Sequence, residues 1–212
     1  MIMELPKKFY APYCTLLQGI LYITSSVSYE SMMYDLTYAL RNQICVYCNT
    51  KVKRKANATL DHRYPRSTGG VSITNNLFIC CDKCNSQKGS LTHEEFLAMK
   101  KLPKERRSTY IRERQLEKER ILKAKGFILP PEWISEMKIE AVSCSIFTNP
   151  CSHGKKYYRQ KEFFETYNHL SRPIITDRNG VLLDGFTTYT IAVENHLDYI
   201  PAIKLENVVR VF

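Results

Sequence analysis

The chain has no hydrophobic run long enough to cross a membrane. A span needs roughly 20 consecutive apolar residues. The longest candidate, residues 16–27, is shorter and is broken by Gln18, Thr24, Ser25 and Ser26. A signal-peptide pattern is lacking too, since Glu4, Pro6 and Pro12 interrupt the N-terminal stretch. A cytoplasmic protein with no membrane partner is the expectation. Internal repeats and low-complexity tracts are absent. Two regions lack net charge: residues 1–44 carry three Lys/Arg and three Asp/Glu, and residues 141–212 carry eight and seven.

What is present is concentrated in the middle. Residues 45–140 hold 20 Lys/Arg against 11 Asp/Glu, so nine of the ten net positive charges fall there. A localised basic surplus suits a polyanion such as nucleic acid, because each neutralised phosphate releases counterions. A solvated Lys-rich surface explains the same numbers. Hydrophobic residues make up 44% of the 212 positions, enough for a real core in one large or two small domains.

Four segments follow from these shifts. Residues 1–44 read as a helical lead-in, with Ser28 capping a helix to about Gln43 whose stripe is Met32, Met33, Leu36, Ala39 and Leu40. Residues 45–102 contain paired cysteines, a short buried strand in "NLFICC", a turn into a helix at "KCNSQKGS", and a second helix from Thr92 with Glu95 completing a capping box. Residues 103–140 carry a heavily charged helix from Lys104 to Lys125, bounded by Pro103 and by Gly126 with Pro130-Pro131. It is either a solvated connector or a phosphate-facing helix presenting Arg106, Arg107, Arg112 and Arg114. In residues 141–212, a hairpin turns at Asn179-Gly180, a helix runs from about Thr187 to Asn195, and a strand runs from Ile200 to Leu205.

Eight cysteines without a secretory signal point to metal or redox chemistry, not disulfides. Four form the pairs Cys45-x2-Cys48 and Cys81-x2-Cys84, separated by 32 residues. Each short turn lets two thiolates face one ion, and two turns complete a tetrahedral Zn2+ site. Four thiolates leave no open position, so the zinc is structural, and its binding energy is folding energy for a small module. No βαβ pattern surrounds either pair, which argues against a redox motif. Cys14, Cys80, Cys144 and Cys151 do not share the spacing and read as free thiols.

Between the cysteine pairs lies "TLDHRYPRSTGG", with adjacent Asp61 and His62. An imidazole accepts a proton at neutral pH. Asp61 and Asn85 offer hard oxygen ligands, suited to Mg2+ and not to a thiolate site. On a strand Asp61 and His62 leave opposite faces, so one could hold metal while the other activates water. Gly69-Gly70 permits a positive-φ turn, and Pro65 stiffens its entry. Arg63, Arg66 and Lys88 are candidate phosphate contacts. His93 lies outside this pattern.

The residues "CVYC", "TLDHRYPRSTGG" and "TNNLFICCDKCNSQKGS" together resemble the HNH endonuclease family in its zinc-bound ββα-metal form, over roughly residues 38–95. The resemblance implies that Asp61 and Asn85 hold one divalent ion, Mg2+ or Mn2+, at the scissile phosphate. It implies that His62 deprotonates the attacking water, that Asn76 holds the hairpin loop, and that products carry 5′-phosphate and 3′-hydroxyl ends. Asn76 is preferred to Asn75 because it lies five residues before Cys81. Asn85 stands where other members have histidine, and both occur.

The stretch "RPIITDRNGVLLDGFTTYTIAVENHLDYIPAIKL" resembles the ParB/sulfiredoxin-like fold over about residues 145–210. Members with phosphoryl chemistry carry arginine or histidine just after the "DG" glycine, whereas Phe186, Thr187, Thr188 and Tyr189 follow it here. A role in binding DNA or a protein partner is expected there, or simply a stabilising one.

The expected fold is therefore α+β: a zinc-stabilised HNH module after a helical lead-in, then a charged helix and a small C-terminal α/β domain. The expected function is metal-dependent DNA cleavage in a phage, mobile-element or defence setting. The alternative is a catalytically silent zinc-binding module that engages nucleic acid or protein.

Overall fold

The computed structural model describes residues 10–11, 14–17, 20–23, 29–40, 42–53, 56–144 and 154–210. In chain order these form β1 (Tyr10–Ala11), β2 (Cys14–Leu17), β3 (Ile20–Ile23), α1 (Tyr29–Leu40), β4 (Ala58–His62), β5 (Leu77–Cys81), α2 (Asp82–Lys88), α3 (His93–Lys101) and α4 (Lys104–Lys125). Then come β6 (Ser135–Lys138), α5 (Lys155–Tyr167), β7 (Ile174–Asp177), β8 (Leu182–Asp184), α6 (Phe186–Glu194), β9 (Tyr199–Leu205) and β10 (Val208–Arg210). Contacts divide the chain into two compact units, residues 33–128 and residues 1–32 with 129–212. No helix among the described residues is long and apolar enough to cross a membrane.

The 33–128 unit is built on a β4–β5 antiparallel hairpin that runs directly into α2, with Leu60 opposite Ile79 and His62 opposite Leu77. Its core gathers Cys45, Val52, Ile79, Cys80, Leu91, Phe96 and Met99, with Tyr110 and Ile111 of α4 packed against them. Phe96 is fully buried, and a phenyl ring removed from water stabilises by roughly 1.5–3 kcal/mol. The capping box at the start of α3 is present: Thr92 accepts from the Glu95 N–H, and the Glu95 carboxylate accepts from the Thr92 N–H. Lys118 of α4 reaches the same carboxylate and the Ser90 carbonyl. The charged helix is thus tied to this unit along one face, through Tyr110, Ile111 and Lys118. Its outer face carries Arg106 and Arg112 exposed.

The loop between β4 and β5 shows why two glycines follow "RST". Gly69 adopts φ 86°, the left-handed conformation. Gly70 serves a different purpose from the one expected: its φ is not positive, but a Cβ there would lie 1.9 Å from the Tyr64 carbonyl oxygen. Only a hydrogen lets the loop fold back so tightly.

In the other unit, β7 lies between β8 and β9, and β6 pairs with the far side of β9. Strands β7 and β9 are parallel, joined through β8 and α6, with Ile174, Leu182, Ile191, Ile200 and Ala202 in the core. The Asn179-Gly180 turn is in place, and buried Asp177 accepts from the Asn179 and Val181 N–H groups. A second sheet has the order β1-β2-β3-β10, with β10 parallel to β3. The N-terminal region is therefore not helical throughout. "CTLL" and "ILYI" pair antiparallel with Leu17 opposite Ile20, because two apolar tetrads satisfy a ladder more readily than a single helical stripe. The helix that follows buries Met32, Met33 and Leu36 as expected, leaves Ala39 exposed, and ends at Leu40, not Gln43. Ser28, its expected cap, lies outside the described residues.

Candidate functional site

The cysteine pairs come together. The sulfur atoms of Cys45, Cys48, Cys81 and Cys84 all lie within 4.8 Å of one another. A tetrahedron with Zn–S bonds of ~2.3 Å has edges of about 3.8 Å, and Cys48 Sγ lies 3.8 Å from Cys81 Sγ. The four thiols therefore fit a zinc ion in size and ligand type. The first pair sits on a turn in which Asn49 takes φ 58° and the Cys45 N–H donates to the Thr50 carbonyl. Cys81 is the N-cap of α2 and accepts from the Cys84 N–H at 3.4 Å, so the hairpin's last residue and the helix's first turn supply the second pair. Cys48 lies 3.2 Å from Thr50 Oγ1, and that contact draws its thiol down to about 6. Burial pushes Cys84 upward. Cys80, fully buried beside Thr59, is raised to about 12 by burial and stays a free thiol outside the ligand set. Cys144 is half-buried and forms no disulfide. The side chain of Cys14, and Cys151 altogether, lie outside the described residues.

Asp61 and His62 close strand β4, and their side chains leave opposite faces. The Asp61 carboxylate, 4% exposed, turns toward Tyr47 and Lys88. The Tyr47 hydroxyl donates to Oδ2, and Lys88 Nζ donates to Oδ1 at 2.9 Å. The same ammonium donates to the His62 carbonyl at 2.9 Å, so one lysine fixes both the carboxylate and the backbone of the next residue. The imidazole of His62, 8% exposed, places Nε2 3.1 Å from Ser72 Oγ. Burial, then the Asp61 charge, drives the Tyr47 phenol well above its ordinary value, so its O–H remains a donor at any working pH.

Asn76 is fully buried and grips the loop at three points. Its Oδ1 accepts from the Tyr64 N–H at 2.8 Å, and its Nδ2 donates to the carbonyls of Tyr64 at 3.1 Å and Val71 at 2.8 Å. Its own carbonyl accepts from the Arg63 N–H at 2.7 Å, one residue beyond His62. Asn85 is half-buried on α2 and three residues before Lys88. Residues so spaced share a helix face, which places Asn85 on the side from which Lys88 grips Asp61.

Among the expected phosphate contacts, Lys88 requires correction. It is 2% exposed and its ammonium is bonded to Asp61 and His62, so it is not a surface cation. A buried carboxylate so close recruits it inward, because an unpaired buried charge costs several kcal/mol. Arg63 is paired with Glu94, while Arg66 is exposed. Three further residues also stand at the site. They are Tyr47, Ser72 and His93, whose ring lies 5.3 Å from Tyr47 and 5.1 Å from Phe78. Burial lowers the His93 imidazole below its ordinary value. Tyr47 had a sequence signal in its place between two ligand cysteines. His93 had none, since α3 alone brings it there.

Comparison with known proteins gives two matches. Residues 45–101 match the model of an HNH endonuclease family. A solved structure of a Pnob8-like ParB-N domain is 22% identical over 34% of this chain, with a TM-score of 0.29. That similarity spans 28% of the solved chain. No curated protein matches.

Proposed function

We infer, from the HNH endonuclease domain that residues 45–101 carry, that the protein is a metal-dependent endonuclease hydrolysing phosphodiester bonds in DNA. The observation that supports this best is the joining of that domain's hairpin to α2, with Asp61 on the one bonded to Lys88 of the other, three residues after Asn85. In this reading Zn2+ is structural and held by the four thiols. Mg2+ or Mn2+ is held by Asp61 and Asn85. The fit is chemical: a carboxylate offers about four lone-pair positions, and Asp61 engages two of them. The divalent ion, when bound, offsets charge at the phosphate and leaving oxygen. His62 takes the proton from the attacking water, with Ser72 orienting its ring. Asn76 holds the loop that follows His62, so that the base keeps its position relative to the carboxylate. Arg66 and the exposed arginines of α4 meet the DNA backbone. A reducing, cytoplasmic setting is in keeping with this reading, since the described cysteines form no disulfide.

One observation favours a second reading. Both Asp61 oxygens already accept bonds from buried donors, as they would in a module that binds nucleic acid without cutting. Incubating zinc-loaded protein with supercoiled plasmid and Mg2+ or Mn2+ separates the two. The endonuclease nicks or linearises the plasmid, His62→Ala and Asp61→Ala abolish this, and end sequencing finds 5′-phosphates. A gel shift with DNA left intact in both metals selects the silent module.

A further inference from the structure

Tyr47 connects two centres that are usually treated separately. It sits inside the turn that carries Cys45 and Cys48, yet its hydroxyl donates to Asp61, fourteen residues away. The turn holds it firmly. The Val46 N–H donates to the Ile79 carbonyl of β5 at 3.1 Å, and Lys100 Nζ donates to the Tyr47 carbonyl at 2.8 Å. The ring stands edge-on to the fully buried Phe96, with centroids 4.9 Å apart, and its other neighbour is His93. Val46 and Cys48 on either side are exposed, whereas Tyr47 is 7% exposed. The turn therefore aims one side chain inward, and that side chain ends on the carboxylate.

With Lys88 on Oδ1 and Tyr47 on Oδ2, the carboxylate cannot rotate about its own axis. Each oxygen keeps a lone pair, and the two face fixed directions. We propose that Tyr47 is a positioning residue: from within the metal-binding turn, its hydroxyl holds the Asp61 carboxylate in the orientation that accepts a divalent ion, so that zinc at the four thiols governs divalent-ion binding at Asp61. This rests on the reading of Asp61 as a ligand given above. A hydroxyl that merely satisfied a buried carboxylate would affect stability alone. A positioning hydroxyl also affects the ion.

The test uses Mn2+ as probe and the full-length, zinc-loaded protein. Bound Mn2+ is measured by electron paramagnetic resonance beside zinc content and thermal midpoint. Tyr47→Phe removes one oxygen and keeps the ring. It should retain wild-type zinc and bind Mn2+ about tenfold more weakly, the effect of one hydrogen bond to a charged group. Tyr38→Phe is the control, since its hydroxyl bonds the Ala58 carbonyl on the same strand and not Asp61; its Mn2+ affinity should match wild type. Asp61→Ala should abolish binding. If Asp61→Ala loses Mn2+ while Tyr47→Phe binds as wild type does, the positioning role is overturned and the ligand reading stands. If Asp61→Ala binds normally, both fall. Should Tyr47→Phe fail to load zinc, wild-type protein prepared at graded zinc content decides. Mn2+ sites that stay constant as zinc falls overturn the coupling, and sites that fall with it support the coupling.

Discussion

Lys88 is the residue on which the hairpin–helix junction turns. Its ammonium and the Asp61 carboxylate are buried together, with side chains 1% and 5% exposed. Removing one partner of such a pair strands the other charge, at a cost of roughly 3–5 kcal/mol. Lys88→Met should lower unfolding free energy by about that amount in a urea titration, and Asp61→Asn added to it should restore part of the loss. Equal stability of the single and double variants would show that Asp61 had found another partner. Asn76→Ala should cost on the order of 3 kcal/mol, because three bonds of about 1 kcal/mol each hold Tyr64 and Val71. His93 predicts a pH effect of definite sign. Burial lowers its folded pKa, so unfolded chains bind its proton first on acidification. Its contribution is complete above the unfolded value near ~6.5 and is lost as pH falls through the lower folded value. His93→Phe should therefore flatten the decline of thermal midpoint below pH 6.5 relative to wild type; parallel curves would exclude it.

At the scale of elements, the loop 63–76 and helix α3 are held by local chemistry that the sequence displays. Thr92 and Glu95 lie three apart before an apolar stripe, and the capping box they form is the expected one. Thr92→Ala should cost about 1 kcal/mol, read as a drop in thermal midpoint. Gly70→Ala should cost about 2 kcal/mol or more, because the new methyl would overlap the Tyr64 carbonyl and force apart the bonds Asn76 makes. The cysteine pairs, Asn76 and the Asn179-Gly180 turn were legible for one reason: each acts through backbone geometry fixed by short spacing. The buried role of Lys88 and the place of His93 were not, and Tyr47 showed only its position between two ligand cysteines. A lysine four residues past a cysteine reads as surface charge until a buried carboxylate appears across from it. The strands β2 and β3 escaped because four residues are too few to establish a period. The charged helix α4 looked solvated since its contacts with the core run through the half-buried Tyr110 and Ile111 and through Lys118, whose cation pairs with Glu95.

At the scale of the whole molecule, the two compact units differ in what can hold them together. The 33–128 unit owns the four-thiol cluster, so the binding energy of a zinc ion held there would be part of its folding free energy. Residues 129–212 contain none of those ligands and rest on an apolar core of Ile174, Leu182, Ile191 and Ala202. The chain has a single tryptophan, Trp133, and it belongs to this second unit. Its emission thus reports on one unit, while α2, α3 and α4 supply far-ultraviolet helix signal in the other. Stripping zinc with a strong chelator, or the Cys81→Ser substitution, should reduce the helix signal and expose residues 33–128 to protease. Trp133 emission should not move. A Trp133 shift that tracks the loss of helix signal would mean that the zinc-free chain unfolds as one cooperative body. Unchanged helix content after complete zinc removal would mean that the hairpin and α2 stand on their apolar contacts alone, with Phe96 and Ile79 sufficient without the ion.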